Sequence, residues 1–135
     1  MTNNNFTNIV NWKTSGILSL TTYYKNGKGV ATALGYERKG DKIFVNTRAK
    51  SYKVKRLRKN PDGKIAISNY RGTIKSPLID VTVKILEPGE DEEAKTVMKY
   101  YTKLSWRWMH FMNKIKFWSK PEPRLFLEIT QKYNI

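Results

Sequence analysis

The chain has 135 residues, 26 of them Lys or Arg against 11 Asp or Glu, for a net charge of +15, with one His and no Cys. That length suits one domain with a modest core, and the lack of cysteine excludes disulfides, thiol nucleophiles and Cys-ligated metals while fitting a reducing, cytoplasmic setting. The charge surplus asks for an anionic partner, whether nucleic acid, a membrane surface or a small ligand.

The opening MTNNNFTNIV is polar and uncharged, unlike a secretory leader, and no apolar run approaches the roughly 20 residues of a spanning helix. Residues 2–13 read as a short helix or an irregular lead-in. Gly16–Tyr24, rich in Ile, Leu, Thr and Tyr, suits a strand. Asn26-Gly27 signals a hairpin, and Gly29–Tyr36 is the return strand. After a Gly40-Asp41 turn, Lys42–Thr47 is a third strand with Ile43 and Val45 on one face. Ser51–Lys59 predicts a helix capped by Ser51 and stopped by Asn60-Pro61. Asp62-Gly63 reads as a turn into a strand at Lys64–Asn69. Pro77–Leu86 alternates through Ile79, Val81, Val83 and Ile85, as a half-buried strand does. Pro88–Asp91 opens a helix on acidic residues, as the dipole prefers, running to about Leu104. Ser105–Trp118 continues as helix, and Arg124–Thr130 is a closing strand.

Six short strands joined mostly by turns, with helices at two places, predict a mainly β, α+β fold. The expected form is a closed or nearly closed barrel with peripheral helices, one domain over 1–135. The order is not βαβ, which excludes a Rossmann sheet.

Most enzyme signatures are absent. There is no GxxxxGK[ST] or HExxH, and Gly27-Lys28-Gly29 lies in a hairpin, not at a strand-to-helix turn. His110, the single histidine, sits in an aromatic segment without obvious partners. No protein-supplied catalytic residue is expected; chemistry would come from a bound cofactor.

The informative run is Thr47–Pro61, TRAKSYKVKRLRKNP. It has two readings. One is a solvated amphipathic helix with Val54 and Leu57 inward. The other is an anion seat: hydroxyls of Thr47 and Ser51, charge from Lys53 and Lys55, a planar fork from Arg56, and free N–H groups at a helix start. Ser105–Trp118, SWRWMHFMNKIKFW, packs on the barrel or a second subunit, lies on a membrane surface, or borders a planar ligand.

Val30–Ser68, VATALGYERKGDKIFVNTRAKSYKVKRLRKNPDGKIAIS, resembles the split-barrel flavin-binding proteins related to pyridoxamine 5′-phosphate oxidase. More narrowly it resembles their subgroup using the deazaflavin coenzyme F420. Arg71-Gly72, Ser76-Pro77 and Leu127–Thr130 extend the likeness over most of the chain. The resemblance implies a six-stranded split barrel that dimerises, with two cofactor sites at the interface. It implies phosphate contacts from Thr47, Ser51, Lys53 and Lys55, a backbone N–H from Val54, and a ring lined by Ala31, Thr32 and Ala33. Function would be an oxidoreductase passing a hydride between F420, or FMN, and a small organic substrate. Ala33 stands where many relatives have Pro, Ser76 where many have Gly, and Leu78 where a Trp follows; these positions flank the ring and substrate side. Rival readings are an FMN-binding protein of the same fold, a non-catalytic cofactor store and a basic nucleic-acid-binding barrel; nucleic acid and membrane are the less favoured partners.

Overall fold

A computed structural model describes residues 7–98 and 123–132. The strands are β1 (Ser15–Tyr23), β2 (Gly29–Lys39), β3 (Lys42–Arg48), β4 (Asp62–Ile67), β5 (Ile79–Leu86) and β6 (Arg124–Gln131). They close an antiparallel barrel in the order β1-β2-β3-β6-β5-β4. Helix α1 (Tyr52–Lys59) lies between β3 and β4, and α2 (Glu92–Val97) between β5 and β6. The expected six-stranded barrel with helices at two places is what the chain forms. The continuation of the second helix to Leu104, the Ser105–Trp118 segment and His110 lie outside the described residues.

Alternation fills the barrel. Leu18 and Leu20 of β1, Ile43 and Val45 of β3, Ile65 of β4, Val81 and Val83 of β5, and Leu127 and Ile129 of β6 form one buried cluster. A short 3-10 turn, Ile9–Asn11, seals one mouth with Ile9 and Trp12. Gln131 fastens it: its Oε1 accepts from the Ile9 N–H at 3.0 Å and its Nε2 donates to the Thr7 carbonyl at 2.7 Å. α1 seals the other mouth with Val54 and Leu57. Burying those two side chains contributes roughly 1.5–3 kcal/mol each. A second cluster, Phe44, Leu86, Phe126, Ala94 and Met98, seats α2 on the outer face.

The Asp62-Gly63 pair is not a turn. Asn60-Pro61 makes the reversal, with the Asn60 Oδ1 accepting from the Asp62 N–H at 3.1 Å, and β4 starts at Asp62 itself. Gly63 serves another need. A Cβ there would lie 2.8 Å from the Thr21 carbonyl oxygen, so glycine lets β1 and β4 approach.

β2 and β3 pair only over Tyr36–Lys39 with Lys42–Val45. Beyond Tyr36 the strands part. Gly29–Gly35 is laddered to β1 alone, and Asn46–Arg48 to β6 alone. The barrel is closed at one end of this seam and split at the other.

Gly63→Ala is expected to lower stability by about 1–3 kcal/mol, the usual cost of forcing a methyl into a packed contact. Urea unfolding should show a lower midpoint with an unchanged slope; an unshifted midpoint would show that β1 yields without cost.

Candidate functional site

The split places two unlike walls opposite each other. One is the free edge of β2, where alternate residues of Gly29–Gly35 turn N–H and C=O groups away from β1. The Ala31–Ala33 stretch lies on it. Thr32 is opposite the core residue Leu20 and points inward, whereas Ala31 and Ala33 are opposite Thr21 and Ser19 and face out. The register puts Thr32 in a pair hydrogen-bonded to β1, so Ala31 and Ala33 are the two that present their backbone groups to the split.

The other wall is cationic. Thr47 is buried at the end of β3, and its Oγ1 accepts from the Lys53 Nζ at 2.9 Å. Arg48 and Arg124 are direct cross-strand partners. Like charges so placed repel. The Arg124 Nε donates to the Asn46 Oδ1, which orients it. Burial holds the half-buried Lys53 ammonium below its ordinary pKa, and Arg48, Arg124 and Arg56 push it further down. Four cations thus gather at the split.

Several acidic residues among those described are engaged elsewhere. Glu93 pairs with Lys39 and Lys42, Glu87 with Arg58, Glu90 with Lys84, and Asp62 with Lys132. The hydrogen bond from Lys42 holds the Glu93 carboxyl below its usual range. Neutralisation is therefore local to the α2 side and to the β4 end.

The structure separates residues that adjacency in sequence had grouped. Ser51 caps α1, and its Oγ accepts from the Val54 N–H at 3.4 Å. The Val54 N–H is thereby committed, whereas the N–H groups of Tyr52 and Lys53 lack intrahelical acceptors. Lys53 stands with Thr47 at the split. Lys55 lies on the other side of the helix, 5.2 Å from the Tyr52 ring centre. It lines a cleft of about 720 Å³ with Tyr24, Tyr52, Arg56, Lys59 and Asn60. Arg56 borders both regions: its Nε donates to the Thr22 Oγ1 at 2.7 Å, and its guanidinium lies 5.1 Å from the Tyr24 ring centre. Arg48 and Arg124 were missed. Arg48 is inside the Thr47–Pro61 run and was passed over for the helix. Arg124 joins the site only through the β3–β6 register, which no local pattern reveals.

No family model and no curated protein matches the chain. Solved structures do match it. A FAD-binding protein from Mesorhizobium loti aligns with a TM-score of 0.62 and 15% identity, over 87% of this chain and 82% of that one. The heme storage protein HutZ of Vibrio cholerae aligns with a TM-score of 0.59 and 14% identity, over 87% and 82%. An F420 reductase aligns with a TM-score of 0.50 and 14% identity, over 87% and 86%. The fold is the pyridoxamine 5′-phosphate oxidase-like split barrel. At these identities the likeness is one of fold. The names of these three proteins differ in the group they mention, FAD, heme and F420, so the fold does not by itself specify a ligand. Among the described residues no helix is long and apolar enough to cross a membrane.

The lowered Lys53 pKa has a consequence for stability. Between that pKa and the ordinary lysine value, the unfolded chain holds a proton that the folded chain has released, so stability rises with pH across this window. Lys53→Met removes the contribution. The difference in urea midpoint between the variant and the wild type should shrink as pH is raised through the alkaline range. A difference independent of pH would show that Lys53 is not electrostatically strained.

Proposed function

We propose that the chain is a subunit of a cofactor-dependent oxidoreductase that holds a flavin-type ligand in the split. The observation that carries this reading is the juxtaposition of a free strand edge with a cluster of four cations. A tricyclic flavin-type ring has donors and acceptors along one side, which suits the backbone edge at Ala31, Thr32 and Ala33. The free groups of that edge are those of Ala31 and Ala33, with Thr32 between them bonded to β1. The phosphate of the ligand suits Lys53, Arg48, Arg124 and the Tyr52 and Lys53 N–H groups. Thr47 and Ser51 support this seat, one holding the Lys53 head and the other fixing the helix start.

Coenzyme F420 is the favoured ligand, with FMN the alternative. The support is the Val30–Ser68 resemblance, the structural likeness to an F420 reductase and the net charge of +15, which suits a ligand with several negative charges. When bound, such a cofactor supplies hydride-transfer chemistry for a small organic substrate. The chain's own residues bind and orient it. In this reading the open side of the split, with Ala31 exposed on β2, is covered by a second copy in a homodimer, which excludes water from two equivalent sites. The cysteine-free chain suits work in the cytoplasm.

Titration with F420, FMN and a short single-stranded DNA, at low and at about 0.3 M salt, tests this. Saturable binding of one flavin-type ligand per subunit is expected, persisting at the higher salt. Tight DNA binding with neither flavin bound would sink it. Lys53→Ala should weaken the flavin by about 1.5–3 kcal/mol, tenfold or more in Kd, as loss of a charged hydrogen bond does. Reduced F420 or FMN consumed with an added nitro- or enone-type acceptor would distinguish turnover from storage.

A further inference from the structure

α1 has two working faces, and the cofactor seat uses one. The other face borders the 720 Å³ cleft, a volume within the range of small-molecule sites. Tyr52 and Tyr24 line it while remaining 75% and 47% exposed. Four cations, Lys25, Lys55, Arg56 and Lys59, share the lining, and among the described residues no carboxylate does. Among the described residues Lys55 and Lys59 make no ion pair.

The groups are oriented. The Lys55 ammonium stands 5.2 Å from the Tyr52 ring centre and the Arg56 guanidinium 5.1 Å from that of Tyr24. Thr22 anchors the Arg56 Nε at 2.7 Å, which leaves the terminal nitrogens for another acceptor. The Asn60 carboxamide oxygen is occupied by the Asp62 N–H, so Asn60 offers a ligand a donor.

A phosphate alone would leave both rings unused. A neutral aromatic would leave four cations unused. A nucleoside monophosphate uses both: a flat base with acceptors for Asn60 and a ring face for tyrosine, and a dianion for the cations. We propose that this cleft is a second subsite, separate from the split, that binds a nucleoside monophosphate unit. The base stacks on Tyr52, the more exposed ring, and the phosphate lies among Lys55, Arg56 and Lys59. The proposal stands whether or not a flavin occupies the split. The unit has two possible sources, a free nucleotide or the adenylate half of a dinucleotide such as FAD.

The test is calorimetric titration of the full chain with AMP and with ribose 5-phosphate, which share a phosphate and differ by the base. AMP is expected to bind at least about tenfold tighter. Tyr52→Ala should abolish that difference, and Lys59→Gln should weaken both ligands; both side chains are exposed, so folding is preserved, with circular dichroism as the check. FAD binding tighter than FMN by a factor that Tyr52→Ala removes would support the adenylate source; equal FAD and FMN affinity with AMP bound would support the free nucleotide. Equal affinity for AMP and ribose 5-phosphate would overturn the proposal. So would AMP affinity unchanged in both variants, or binding of a deoxyadenosine oligonucleotide by a chain that ignores AMP.

Discussion

β2 and β3 stop pairing at Tyr36 and Val45, and the site depends on that break. Backbone polar groups in a sheet must find partners. Those of Gly29–Gly35 that face the break have none on β3, because Asn46–Arg48 follows β6 instead. The opening needs both halves of this arrangement. A barrel laddered along the whole seam would have no free edge, and an open sheet would have no opposite wall. The closed end, sealed by Ile9 and Trp12, keeps the core dry while the split end stays available.

Charge is distributed along the same division. On the α2 side lysines meet carboxylates at ordinary surface distances, and such exposed pairs contribute little to stability. At the split Lys53, Arg48, Arg124 and Arg56 are brought together by strand register and by the helix start, and burial, with these neighbouring charges behind it, holds the Lys53 pKa down.

α1 links packing to recognition. Its eight residues devote Val54 and Leu57 to the core, and the remaining positions divide between two faces. Lys53 turns to the split, whereas Tyr52, Lys55 and Lys59 turn to the cleft, with Arg56 between them. Helical geometry enforces this: positions two apart, such as 53 and 55, point to nearly opposite sides, and positions three or four apart share one. A basic run that looks like a single patch in sequence therefore divides between two faces.

Much of the fold was legible in the residues. Strand alternation at Ile79–Ile85, the Asn26-Gly27 turn and the Ser51 cap are local effects, decided by side-chain period, backbone freedom and a hydroxyl within reach of an N–H. The basic helix and its inward Val54 and Leu57 were equally local. Gly63 misled, because glycine serves a close strand approach as readily as a turn, and only the contact with Thr21 distinguishes them. The chain alone thus determined a small, basic barrel with an anion-ready segment. Tertiary structure decided where the barrel splits, that Arg124 joins Arg48, and that Lys53 and Lys55 part company. Those facts depend on register and helix rotation between segments far apart in the chain, and no local preference encodes them.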